Sequence, residues 1–205
     1  MKTLFPMFVK LDGRGVLVVG AGNIGEQKIS TLLPTGANIH VVAREANHRI
    51  QQLAAEGSIA LSERPFRNSD LDGVFMAVVA TSLQELNVEI YREAQHRQIL
   101  CNVVDVPDQC DFYYPAVVQR GDLQIAISTS GQSPSLAQQI RVRLEKQYGP
   151  GYAEWVAELG KTRRKILAST LEPEVKRRLL QSLASEEAFE DAVKNQARAD
   201  QRKLA

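Results

Sequence analysis

Apolar residues run almost unbroken through "VLVV" (Val16–Val19), "NIHVVA" (Asn38–Ala43), "GVFMAVVAT" (Gly73–Thr81) and "ILCNVV" (Ile99–Val104). A strand with one wet face alternates apolar and polar positions, so runs of this kind suit strands covered on both faces. Between the runs the apolar period changes to that of a helix. In "SLQELNVEIYREAQHRQ", Leu86, Ile90 and Ala94 share one face, and Ser82 stands where an N-cap belongs. Further helices are expected from Ile24 to Leu33, stopped by Pro34 and Gly36, and from Glu45 to Gly57. A short strand is expected around Ile59–Leu61. Strand and helix in alternation predict an α/β fold, a parallel sheet with helices on both faces.

The pattern changes after Asp105. Two short strand-like runs, near Tyr113–Val118 and Leu123–Ser128, flank "QRGD" and predict a hairpin. Ser133 and Pro134 then suit the N-cap and first position of a helix. From Ala153 to the end the chain reads as helix, with breaks at Gly149–Gly151 and Pro173.

The first apolar run leads into "GAGNIG", Gly20 to Gly25. A GxGxxG triplet between a buried strand and a helix is the loop that holds a dinucleotide in Rossmann-like domains. The first glycine permits the tight turn, the second admits a pyrophosphate to the backbone, and the third lets helix and strand pack closely. The N–H groups and dipole of the helix end then favour the anion. Candidate cofactor contacts are Gly20, Gly22, Asn23, Ile24, Gly25, Ala43, Arg44, Thr81 and Val104. The carboxylate that meets the adenosine ribose belongs at the end of the second strand. That place reads Ala43-Arg44-Glu45. Glu45 suits the ribose of NAD from one position late, whereas Arg44 suits adenine or the 2′-phosphate of NADP, so the choice of dinucleotide stays open.

The 205 residues are 44% hydrophobic and 24% charged, with a formal net charge of +1. That balance argues against a general nucleic-acid binder. The charge is uneven: residues 141–205 hold 14 Lys and Arg against 10 Asp and Glu. No run reaches the length of a membrane helix, and "MKTLFPMFVKLDG" is too weakly apolar for a secretory signal. A cytoplasmic protein with no membrane partner is expected. Cys101 and Cys110 form no metal-ligand or disulfide pattern, and His40, His48 and His96 are not spaced as ligands. No protein metal site is expected.

Two blocks carry a more specific signal. "FPMFVKLDGRGVLVVGAGNIGEQKISTLLPTGANIHVVA" and "CNVVDVPDQCDFYYPAVVQRGDLQIAISTSGQSPSLAQQIR" resemble precorrin-2 dehydrogenase, which is also the dehydrogenase half of bifunctional siroheme synthases. The likeness runs from about Phe5 to Arg143, and the chain is too short to hold the methyltransferase half as well. The resemblance implies NAD+-dependent oxidation of precorrin-2 to sirohydrochlorin, on the way to siroheme and in some organisms cobalamin. In some members it extends to insertion of Fe2+. It also implies a homodimer with a Rossmann-like domain over residues 1–112, a dimerisation region over 113–148 and a helical domain over 149–205.

By that resemblance the catalytic aspartate of "NVVD" is Asp105, and Ser128 of "ISTSG" edges the substrate cleft. Asp105 also follows a strand end, where α/β sheets place their ligands. Ser128, Thr129, Gly131 and Ser133 form a hydroxyl- and glycine-rich loop before a helix N-terminus, suited to substrate carboxylates. Asn102 either orients a ligand or makes a structural hydrogen bond. The alternative to an enzyme is an NAD(H)-sensing regulatory module. Such a module needs the first hundred residues but has no use for the hairpin and the Ser/Gly loop.

Overall fold

β1 (Gly15–Ala21) is the centre of a five-stranded sheet because its side chains are apolar on both faces. Val16 and Val18 point into one core, with Ile29, Leu32, Ile50 and Leu53 from the helices on that side. Leu17 and Val19 point into the other, with Leu71, Ile90 and Ala94. All of these are buried, and the larger aliphatic side chains each contribute about 1.5–3 kcal/mol of apolar transfer. The computed structural model describes residues 3–192.

The elements follow the sequence pattern: α1 (Asn23–Leu32), β2 (Asn38–Ala46), α2 (His48–Ala55), β3 (Ala60–Glu63), β4 (Met76–Val79), α3 (Gln84–His96) and β5 (Leu100–Val103). The strands lie in the order β3-β2-β1-β4-β5, all parallel. The chain therefore winds outward from β1 in one direction and then from β4 in the other. The crevice beyond the carboxyl ends of β1 and β4 is where such a sheet places a ligand.

Several boundaries differ from the sequence expectation. β2 continues past Ala43 to Ala46, because its pairing with β1 shifts register between Val19 and Ala21 and resumes at Ala21–Ala46. Helix α2 then starts at His48 rather than Glu45, capped by Asn47, whose Oδ1 accepts the Ile50 N–H at 3.0 Å. Asn47 Nδ2 also donates to Glu26 Oε2 at 2.7 Å and so ties α1 to the end of β2. Before α3 the cap position is Leu83, not Ser82, and Thr81 Oγ1 accepts the Leu83 N–H at 3.2 Å. The start of α3 has no side-chain cap: the Thr81 hydroxyl accepts the N–H of the cap residue itself, so the cap expected of Ser82 is not formed.

This first compact unit ends at Tyr114, and a second begins at Pro115. In the second, β6 (Ala116–Arg120) and β7 (Leu123–Ile127) pair as an antiparallel hairpin. α4 (Pro134–Gln147), α5 (Gly151–Ala168) and α6 (Pro173–Leu183) follow. Ser133 caps α4 by accepting the Leu136 N–H at 3.2 Å, as expected. Arg120 donates to the carbonyls of Tyr148 (2.9 Å) and Glu145 (3.2 Å), tying β6 to the C-terminal end of α4. Among the described residues no helix is long and apolar enough to cross a membrane. The expected helical stretch beyond residue 192 lies outside the described residues.

Candidate functional site

The glycine loop between β1 and α1 has the geometry its spacing requires. Gly20 has φ +108°, and a Cβ there would lie 2.3 Å from the Ala80 carbonyl oxygen. A Cβ at Gly25 would lie 2.2 Å from the Gly20 carbonyl oxygen. Gly22 differs: a Cβ there meets nothing within 4 Å. Its openness leaves room for a ligand against the backbone. α1 begins directly after it with no side-chain cap, so its first-turn N–H groups remain available to an anion.

A cavity of about 980 Å³ opens at this point. Its floor is the carboxyl end of the sheet, with Val19, Gly20, Ala80 and Thr81, and Gly22, Asn23 and Ile24 form the loop side. Ala43, Arg44 and Glu45 line it from β2, and Val104 and Asp105 from beyond β5. The structure thus brings together Gly20, Gly22, Asn23, Ile24, Ala43, Arg44, Thr81, Val104 and Asp105. Gly25 lies beneath the loop, where its contact with Gly20 shapes the turn. The open backbone, the uncapped helix end and the size of the cavity all fit a dinucleotide.

Thr81 shapes this site from inside the protein. Its hydroxyl donates to Asn87 Oδ1 at 2.5 Å, and Asn87 Nδ2 returns a bond to the Thr81 carbonyl at 3.1 Å. Asn87 is buried, a polar side chain between Leu86 and Ile90 on the apolar stripe of α3. That interruption was the one sequence signal for it. Arg64, Pro65, Phe66, Leu83 and Leu86 also line the cavity, and no motif marked them.

Arg64 is fixed in place. Its backbone N–H donates to the Ala43 carbonyl at 2.8 Å, and its guanidinium forks onto Asp70 at 2.6 and 2.9 Å. The Asp70 side chain is 4% exposed and accepts a third bond from the Arg67 N–H at 2.9 Å. The Arg64 hydrogen bonds, aided by the Arg67 N–H, outweigh burial and hold the Asp70 carboxyl below the usual carboxylate range. Arg44 forms no ion pair among the described residues.

Asp105 has φ +62°, a left-handed conformation that aspartate tolerates better than most side chains. The turn is held by Val104 N–H to Val79 O at 2.9 Å and Val106 N–H to Val103 O at 3.2 Å. It exposes the Asp105 side chain at the rim of the cavity. Asn102 lies outside the cavity lining. Its buried amide donates to Phe112 O at 2.8 Å and to Cys110 Sγ at 3.3 Å. Burial pushes the Cys101 thiol up to about 12 and the Cys110 thiol upward, so neither is an activated nucleophile. Among the described residues no three His, Cys, Asp or Glu side chains gather as metal ligands.

In the second unit, the Ser128–Ser133 loop is organised by its own hydroxyls. Ser128 Oγ accepts from Ser130 N–H at 3.1 Å, and Thr129 Oγ1 from Ser133 N–H at 3.0 Å. Ser130 and Gly131 have φ +51° and +80°. A hydroxyl that accepts a backbone bond still has its own hydrogen to donate.

Comparison with known proteins agrees with this geometry. A family model described as putative NAD(P)-binding matches residues 7–116, and a second, for the central region of a sirohaem biosynthesis protein, matches residues 120–147. The chain is 37% identical over 192 residues to a siroheme synthase of Neisseria meningitidis serogroup C (strain 053442), covering 94% of this chain and 40% of that one. It is 40% identical over 173 residues to a siroheme synthase of Ectopseudomonas mendocina, covering 84% and 37%. The chain thus spans about two fifths of the length of these curated relatives. A solved structure of SirC, precorrin-2 dehydrogenase, superposes with a TM-score of 0.82 at 29% identity, covering 98% of this chain and 100% of that one.

Proposed function

This chain belongs to the putative NAD(P)-binding family whose model spans residues 7–116, and on that premise we propose that it oxidises precorrin-2 to sirohydrochlorin with NAD+. The observation that carries the reading is Asp105 at the rim of the glycine-loop cavity. The likeness to SirC over the whole chain supports it, as do the siroheme synthase relatives.

Converting precorrin-2 to sirohydrochlorin removes a hydride and a proton from the macrocycle. The dinucleotide, when bound, supplies the hydride acceptor. Gly22 and the first-turn N–H groups of α1 hold its pyrophosphate. Thr81, fixed by Asn87, and Val104 keep the reacting end of the cavity in shape. Asp105 accepts or relays the proton, from a left-handed turn that sets its side chain at the rim. Ser128, Thr129, Gly131 and Ser133 bind substrate carboxylates, and Asn102 supports the turn through Phe112 and Cys110.

NAD rather than NADP is the dinucleotide of this proposal. Glu45 suits ribose hydroxyls, and the charge of Arg64 is already matched by Asp70. The protein acts in the cytoplasm as a homodimer, with residues 113–148 as the dimerisation region and 149–205 as a helical domain. Fe2+ enters as a substrate of a second step, tested by adding it once oxidation is complete. The first test is anaerobic incubation with precorrin-2 and NAD+, read as NADH formation together with the sirohydrochlorin spectrum.

A further inference from the structure

β3 is the outer strand of the sheet on the β2 side, and its last register pair joins Glu63 to Ala43. Arg64 is the next residue, held to the end of β2 by its N–H bond to the Ala43 carbonyl. It lines the cavity there together with Ala43, Arg44 and Glu45. A Rossmann-like sheet receives the adenosine half of a dinucleotide at this end of the crevice.

The end of the Arg64 guanidinium is already occupied. Nη1 donates to Asp70 Oδ2 at 2.9 Å and to the Pro65 carbonyl at 3.0 Å, and Nη2 donates to Asp70 Oδ1 at 2.6 Å. Asp70 is buried and does not line the cavity, so the fork holds the guanidinium from the protein side. The Arg64 side chain keeps 29% of its surface exposed. A cation matched in this way is a poor ligand for a phosphate. What it still presents is a flat, delocalised face, and guanidinium faces stack on purine rings. The fork fixes that plane before a ligand arrives, so little side-chain freedom is lost on binding.

We infer that Arg64 is the stacking plate for the adenine ring of the dinucleotide, a guanidinium anchored at its end by Asp70 whose free face carries the purine. The inference rests on the dinucleotide half of the proposed function and adds to it a residue that no motif marks.

The test reads binding to the full chain, without turnover. NADH is titrated by fluorescence, and NAD+, ADP-ribose, nicotinamide mononucleotide and dinucleotides carrying hypoxanthine or cytosine in place of adenine compete with it. Wild type is expected to bind the hypoxanthine dinucleotide within about threefold of NAD+, because stacking accepts any purine. The cytosine dinucleotide, with its smaller ring, binds about fivefold or more weakly. Arg64→Lys keeps a charge beside Asp70 and loses the flat face. It is expected to weaken NADH and ADP-ribose about fivefold or more, to leave nicotinamide mononucleotide unchanged and to erase the preference for a purine. The double variant Arg64→Met with Asp70→Asn removes both charges and leaves no buried carboxylate unpaired. It carries the same expectation should Arg64→Lys not fold. ADP-ribose bound by these variants as tightly as by wild type overturns the role of Arg64 and leaves the dinucleotide site standing. An equal loss of nicotinamide mononucleotide also overturns it, because a packing role would do the same. So does rejection of the hypoxanthine dinucleotide by wild type, which would assign the adenine to hydrogen bonds at its edge. If wild type does not bind NADH, the dinucleotide reading and the Arg64 role fall together.

Discussion

Gly25 sits directly under Gly20, so close that a Cβ on Gly25 would lie 2.2 Å from the Gly20 carbonyl oxygen. No rotamer change relieves that overlap, because both partners are backbone. Gly25→Ala therefore displaces α1 or the loop, with an expected loss of about 2 kcal/mol or more in urea unfolding and weaker NADH binding. Gly22→Ala makes the opposite prediction. Its φ of −88° is ordinary and its Cβ meets nothing, so stability stays within about 0.5 kcal/mol while NADH binding falls at least about tenfold. Fluorescence titration and urea melts on the two variants separate the packing glycine from the binding one.

Asp105→Asn keeps a side chain that tolerates φ +62° and removes the carboxylate. The expected outcome is unchanged stability and NADH binding, with precorrin-2 oxidation slowed about 100-fold or more. Full activity in Asp105→Asn would reduce Asp105 to a turn residue.

The Arg64–Asp70 pair gives a pH signature. Asp70 is held below its ordinary pKa chiefly by the Arg64 hydrogen bonds, so its folded value lies under an unfolded value near about 3.9. Its contribution is then complete above about pH 4 and is lost as pH falls through the lowered folded value. Asp70→Asn is expected to cost about 2 kcal/mol at neutral pH, and the gap to wild type narrows below about pH 4. A gap independent of pH would show that packing, not charge, holds this corner.

The adenosine end offers a specificity test. Arg44 lines the cavity without an ion pair beside Glu45. NAD+ is expected to bind more tightly than NADP+, and Glu45→Gln to narrow that difference about tenfold, read by competition with NADH. Tighter NADP+ binding in wild type would assign the 2′-phosphate to Arg44.

The sheet was legible because burial on both faces writes itself as an unbroken apolar run, and Val16–Val19 feed two cores by strict alternation. The glycine loop was legible because each glycine answers a local steric demand. β2 overran its expected end because the apolar run stops at Ala43. Arg44 and Glu45 look like a helix start, and only the shifted pairing of Ala46 with Ala21 makes them strand. Arg64 was illegible for a related reason. Asp70, the partner that gives it meaning, is brought near by the fold of the intervening turn, and no periodicity encodes that. Asn102 was open between two roles, and the carbonyl of Phe112, ten residues away, occupies its amide.

The central claim is that the glycine-loop cavity and Asp105 together oxidise a tetrapyrrole. It is tested most directly by the stoichiometry of one anaerobic reaction, with precorrin-2 limiting and NAD+ in excess. The account predicts equal molar amounts of NADH and sirohydrochlorin, formed about 100-fold or more slowly with Asp105→Asn. NADH-binding protein that leaves fresh precorrin-2 unchanged in the presence of NAD+ would contradict it.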